Sequence, residues 1–165
     1  MELRRCHWLL FLPLFAGLTL AQESAADLDA QAEKLRSDAK TRKEAIALYS
    51  RAAELWKGSG EEAKVRLRLG QLQDLNGQRE RALTEFQLGL ASVAEAKLEA
   101  NLHYGVARVL VAMGQAIEGI ASYQKALSLR RNTGERFEQA LALHNMGAAY
   151  WSLGLNVEAL AAYQE

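Results

Sequence analysis

"LHNMGAAYWSLGLNVEALAAYQE" (residues 143–165) decides the fold, because its residue spacings recur upstream in one register. Gly147 and Ala159 stand twelve apart, with Tyr150 three after the first and Tyr163 four after the second. Aligned on this segment, Gly70, Ala107 and Gly147 are separated by 37 and 40 residues. Gly77, Gly114 and Gly154 keep the same separations, as do Ala82, Gly119 and Ala159, and Phe86, Tyr123 and Tyr163. One unit earlier, Ala45 and Tyr49 precede Ala82 and Phe86 by 37 each. Such internal periodicity is the signature of stacked repeats.

Each recurring position has a physical reason. The unit reads as two antiparallel helices joined by a tight turn. Gly70, Ala107 and Gly147 fall inside the first helix, where glycine costs up to ~1 kcal/mol relative to alanine. A small side chain offsets that cost when it lets the partner helix approach closely. Ala82, Gly119 and Ala159 supply the matching surface on the second helix. Phe86, Tyr123 and Tyr163, one turn further along that face, fill the wedge between one pair and the next. Asn76-Gly77, Met113-Gly114 and Leu153-Gly154 mark turns, since glycine accepts the left-handed conformation that ends a helix. "KGSGEE" (57–62) and "NTGER" (132–136) separate units.

Composition agrees. The only proline among 165 residues is Pro13, so everything from Gln22 onward lacks the strongest helix breaker. Hydrophobic residues make up 50% and charged residues 24%, ordinary for a soluble all-α chain. Twenty basic side chains balance twenty acidic ones, which argues against nucleic-acid binding, where several phosphates must be neutralised. The N-terminus differs in kind. Arg4 and Arg5 precede an almost wholly apolar run, Trp8 to Leu20, and Thr19 and Ala21 form a small-x-small site. Thirteen residues fall short of the ~20 a membrane-spanning helix needs, so residues 1–21 read as a cleaved signal peptide, with an uncleaved anchor as the alternative. Export to the periplasm or beyond the cell follows, with no stable membrane insertion after cleavage. Cys6, the only cysteine, leaves with the signal, and its place before the apolar run argues against lipid anchoring.

The motif Met146-Gly147, Tyr150, Ala159, Tyr163 resembles the tetratricopeptide repeat, whose core reads Leu-Gly-x-x-Tyr with later Ala and aromatic positions. Leu143 stands where that family often carries tryptophan, and the period of 37 and 40 exceeds the usual 34 by about one to two helical turns. Longer units of this sort resemble the kinesin light-chain-like subgroup. The resemblance implies an all-α, right-handed α-solenoid of about four stacked helix pairs over residues 22–165, with repeats near 27–58, 61–97, 99–134 and an incomplete 135–165. The stretch "YQKALSLRRNTGERFEQALALHNMGAAYWSLG" (123–154) is similar to repeat arrays of bacterial proteins that carry a caspase-like CHAT domain. That domain uses a His/Cys pair, and no cysteine follows Cys6.

No catalytic constellation stands out, and neither cofactor nor metal is expected. His103 and His144 lie about 40 residues apart, not at metal-ligand spacing. Glu61-Glu62 reads as helix-start charge and Arg130-Arg131 as helix-end charge. What remains is recognition of a protein or peptide on the concave face. The resemblance places ligand-facing positions at Leu67, Arg68 and Gln71, at Tyr104, Gly105 and Arg108, and at His144, Asn145 and Ala148. Of these, Arg68, Gln71, Tyr104, Arg108, His144 and Asn145 are the candidate contacts. An exported, non-catalytic scaffold is the leading expectation; the sensor part of a longer enzyme is the alternative, and self-association through the C-terminal helix a third. The last helix should begin near Val157 and present Ala159, Leu160 and Tyr163 to a following helix, with a frayed, partly exposed end. Its counterpart should run from Ala116 to Leu129.

Overall fold

A computed structural model describes residues 23–165; the expected signal peptide lies outside them. Eight helices follow in order among the described residues: α1 Ala25–Leu35, α2 Arg42–Leu55, α3 Glu62–Leu75, α4 Arg79–Ser92, α5 Ala96–Ala112, α6 Ala116–Thr133, α7 Arg136–Ser152 and α8 Asn156–Gln164. They pack as four successive pairs, α1/α2 to α7/α8, each also packed on the next. A capping box opens α1: the Asp27 amide donates to the Ser24 hydroxyl oxygen and the Ser24 amide to the Asp27 carboxylate, each at 3.2 Å.

The turns inside the last three pairs are copies of one another. Gly77, Gly114 and Gly154 have φ of 78°, 82° and 75°, a conformation in which a side chain is strained. Immediately after each, the amides of Gln78, Gln115 and Leu155 donate to the carbonyls of Gln73, Leu110 and Tyr150 at 2.8, 2.9 and 3.0 Å. This closes helices α3, α5 and α7 with the same bond. The α1–α2 turn has no glycine and is held by the Thr41 hydroxyl, which donates to the Leu35 carbonyl at 2.7 Å.

Small residues sit where helices touch. A Cβ on Gly70 would lie 2.5 Å from the Phe86 ring, and one on Gly105 2.8 Å from the same ring. Phe86 of α4 therefore wedges between α3 and α5, one pair and the next. A Cβ on Gly119 would come within 3.0 Å of the Ala107 carbonyl and 2.5 Å of Val111, which brings α5 and α6 together. The core runs along the stack in three clusters, the first centred on Leu28, Tyr49 and Leu69, the next on Phe86, Leu102 and Val109, the last on Tyr123, Leu143 and Met146.

Several expectations need correction. Helix α6 continues to Thr133 rather than stopping at Leu129, because the Gly134 left-handed turn ends it. Helix α8 runs from Asn156, beside the expected start, to Gln164; of the face expected to await a following helix, Leu160 and Tyr163 are exposed as expected, whereas Ala159 is buried. Gly105 and Leu67 do not face a ligand: Gly105 is buried against Phe86, and Leu67 packs into the second core cluster. Glu62 does open α3 and Arg130 does stand in the last turn of α6, but both are also buried: Glu62 is bonded to Arg66 at 2.7 Å, and Arg130 lies over an aromatic ring.

Candidate functional site

First helices touch one another: α3 meets α5, and α5 meets α7, whereas no two second helices make comparable contact among the described residues. The side on which next-but-one helices meet is the inner side of the stack, so α1, α3, α5 and α7 line it. Polar side chains along this inner face tie each first helix to the next. The Arg68 guanidinium of α3 donates to both carboxylate oxygens of Asp29 in α1 at 2.7 Å, and approaches Glu33 at 3.2 Å. Arg108 of α5 pairs with Asp74 of α3. The Asn145 amide of α7 donates to the Tyr104 hydroxyl of α5 at 2.5 Å. Four of the six candidate contacts, Arg68, Arg108, Tyr104 and Asn145, are thus bonded within the fold.

The six do not converge on one site. Gln71 and Arg108 share a cavity of about 430 Å³ with Arg36, Ser37, Leu72 and Leu75. Its floor is α3, and its walls are the end of α1 and the side of α5. His144 lies elsewhere, its ring centroid 5.6 Å from that of Tyr163. It lines a cavity of about 330 Å³ between α7 and α8. Arg68, Tyr104 and Asn145 line neither of these two cavities.

Four residues of the larger cavity, Arg36, Ser37, Leu72 and Leu75, escaped the sequence reading, and Arg36 and Leu75 among them lie at helix ends. Leu75 is the last residue of α3 and 63% exposed. Its position directly before Asn76-Gly77 is the one signal that could have flagged it. Arg36 caps α1, in the connection that lacks the repeat's turn glycine, so no register pointed to it.

The remaining charged clusters serve packing. Buried Arg66 donates to Glu62 and to Glu85, each at 2.7 Å, which joins α3 to α4. The Gly58 amide, donating at 2.7 Å, holds the Glu62 carboxyl below its usual range, aided by Arg66 and opposed by burial. Arg130 lies 4.7 Å over the Tyr104 ring and donates to the Glu138 carbonyl at 2.8 Å and the Asn101 side chain at 3.2 Å. Burial pushes the Arg130 pKa down. His103 is lowered by burial and by Lys125, against the pull of Glu99 at 3.9 Å. Among the described residues no group of three His, Cys, Asp or Glu could hold a metal, and no helix is long and apolar enough to cross a membrane. The inner face presents guanidinium donors beside exposed apolar surface.

Residues 98–165 match the family model described as tetratricopeptide repeat. No curated protein matches the chain. Among solved structures, that of MamA aligns with a TM-score of 0.71 at 19% identity, over 85% of this chain and 74% of that one. BtubC (BKLC) from P. vanneervenii aligns with a TM-score of 0.77 at 16% identity, over 85% and 60%. A putative kinesin light chain with nearly identical TPR-like repeats, from Podosopora anserina, gives 0.70 at 16%, over 83% and 70%. At these identities the likeness is one of fold.

Proposed function

Because this chain carries tetratricopeptide repeats, we propose that it is a non-catalytic scaffold that binds a protein or peptide along the inner face of its first helices. One observation carries this reading. Leu75, 63% exposed, shares a cavity on that face with Gln71 and with the half-exposed guanidiniums of Arg36 and Arg108. An apolar anchor flanked by a few directed donors is the composition of a recognition site. Stacked first helices present such groups at regular intervals, which suits an extended partner.

A photo-crosslinking side chain placed at Gln71 tests the assignment, with one at Ile117, 72% exposed on α6, as the outer control. A discrete crosslinked partner from Gln71 and none from Ile117 is the expected result. Equal labelling from both positions removes the inner-face reading.

The same proposal includes export: residues 1–21 direct the chain out of the cytoplasm and are removed, leaving a repeat domain over 22–165. Support comes from the paired arginines, the short apolar run and the small-x-small site of the sequence. Mass spectrometry of protein recovered outside the cytoplasm should find a chain beginning near Gln22, and an intact Met1 end would refute cleavage.

A further inference from the structure

Helix α7 covers the α5/α6 pair through a defined set of positions, and the same positions stand uncovered at the α7/α8 end. Tyr104, Val111, Ile120 and Tyr123 pack with Leu143, Met146 and Ala149 of α7, and Lys97 meets Glu135 just before it at 3.6 Å. Forty residues on, these places hold His144, Trp151, Leu160, Tyr163 and Phe137, and all are exposed. Leu141 joins them, since residues 137, 141, 144 and 151 fall on one side of α7 at helical spacing.

This end is larger and less charged than the joint it corresponds to. Where the joint has the ammonium of Lys97 the end has the ring of Phe137, and Val111 gives way to Trp151. None of these end-face side chains is a carboxylate, ammonium or guanidinium, and Glu165 at the margin is paired with Arg131. Phe137, Trp151 and Tyr163 are 76%, 70% and 48% exposed, which leaves roughly 400 Å² of aromatic surface open at about 150–250 Å² per ring. A stable interface takes about 800 Å² from each partner, a little over half of it apolar. The three rings supply most of that apolar share before Leu141 and Leu160 are added.

We propose that this face pairs with the same face of a second copy of the chain, in a closed two-fold dimer. Three observations choose that occupant. An uncharged face meets its own image without repulsion, whereas a face of one charge would repel it. The face also carries both a ridge and a recess. Leu160 stands on α8 one turn before Tyr163, on the helix that walls the cavity of about 330 Å³ lined by His144 and Tyr163. Under a two-fold axis each copy sets its ridge against the other's recess. Head-to-tail stacking lacks such a mate, because α1 at the far end exposes Asp27, Gln31 and Lys34 and no large hydrophobic residue. The pairing is independent of the inner-face reading, and on dilution the α7/α8 face is open again.

Sedimentation velocity of the full chain over a concentration series tests the pairing, with amide hydrogen exchange to locate it. Association should stop at two chains. Protection should rise with concentration in α8 and along the exposed side of α7, while α1 stays unchanged. Trp151→Asp should weaken dimerisation at least about thirtyfold, the loss expected for one hot-spot ring. Leu160→Arg, which sets an unpaired charge into the joint from each side, should do as much. Both positions are exposed in the single chain, so neither change disturbs its folding. Ile117→Arg, on the outer side of α6, should alter nothing. The variants keep residues 1–21, so association through that segment would survive in them, and association undiminished by Trp151→Asp and Leu160→Arg overturns the pairing. Assembly beyond two chains with α1 gaining protection also overturns it, in favour of head-to-tail stacking. A chain still monomeric at about 1 mM, where even a contact of about 4 kcal/mol would show, overturns it too and leaves the face to a helix of another protein. None of these outcomes touches the inner-face scaffold, whose crosslink at Gln71 lies on a different surface.

Discussion

Pair α5/α6 and pair α7/α8 carry equivalent small, apolar and aromatic residues in the same register, 40 positions apart, and differ in what covers them. Tyr123 is 2% exposed and Ile120 7%, because α7 lays Leu143, Met146 and Ala149 over them. Their counterparts Tyr163 and Leu160 are 48% and 57% exposed. Tyr163 still rests on its own pair, since a Cβ on Gly147 would lie 2.7 Å from its ring. In a stacked array, then, a pair shapes its own hydrophobic face, but the next helix completes the burial.

The comparison makes graded predictions. Tyr123→Ala should cost about 3–5 kcal/mol, the usual penalty for removing a buried aromatic ring, whereas Tyr163→Ala should cost less than half of that. Urea denaturation, with native-state hydrogen exchange to localise the loss, measures both. Equal costs would mean that Tyr163 is as well covered as Tyr123.

Smaller effects follow at the glycines. Gly119→Ala places a methyl against the Ala107 backbone carbonyl, which cannot move aside, and should cost about 1–3 kcal/mol. Gly147→Ala has its nearest contacts with the ring of half-exposed Tyr163, which can swing away, so it should cost under about 1 kcal/mol. The opposite order, in the same denaturation assay, would show that the open end is the more rigid of the two.

The smallest effect separates the buried α3/α4 cluster from the open end by pH. Glu62 is held below its ordinary value of 4.5, so the unfolded chain binds its proton more tightly than the folded one. Its contribution is present above that ordinary value and is lost as pH falls below it, through the folded value. Glu62→Gln should flatten this acid-side loss in the pH dependence of the melting temperature. The same change at Glu165, paired with Arg131 on the exposed surface, should leave it nearly unaltered. A matching response at both positions would contradict the depth assigned to Glu62.

Helix pairing was legible in the residues because it rests on short-range necessities. Gly70 and Gly147 interrupt good helix formers, which is tolerable only where an aromatic ring comes within contact distance, and the rings of Phe86 and Tyr163 do. The inner face was legible as a direction but not as a site. Arg68, Tyr104 and Asn145 point to the expected side yet bond to the neighbouring first helix, and that separation is set by how pairs stack. Arg36 went unseen because the α1–α2 connection lacks the repeat's turn glycine, and Leu75 because the Asn76-Gly77 turn beside it marks where α3 ends but not which side chains there stay exposed. Glu62 and Arg130 were legible as helix-terminal charges, and only the approach of α4, and of α5 and α7, made them buried partners as well.

By itself the sequence determined the helices, the turns at Gly77, Gly114 and Gly154, and the small and aromatic residues that meet within a pair. These depend on backbone sterics and on a period that neighbouring residues repeat. The tertiary structure alone decided which polar groups of the inner face satisfy one another and which remain for a partner. Asp29 and Arg68 are 39 residues apart, Asp74 and Arg108 34, and Tyr104 and Asn145 41. A hydrogen bond across such a gap needs a separation correct to a few tenths of an ångström. The packing of one pair on the next sets that separation, and no local pattern encodes it.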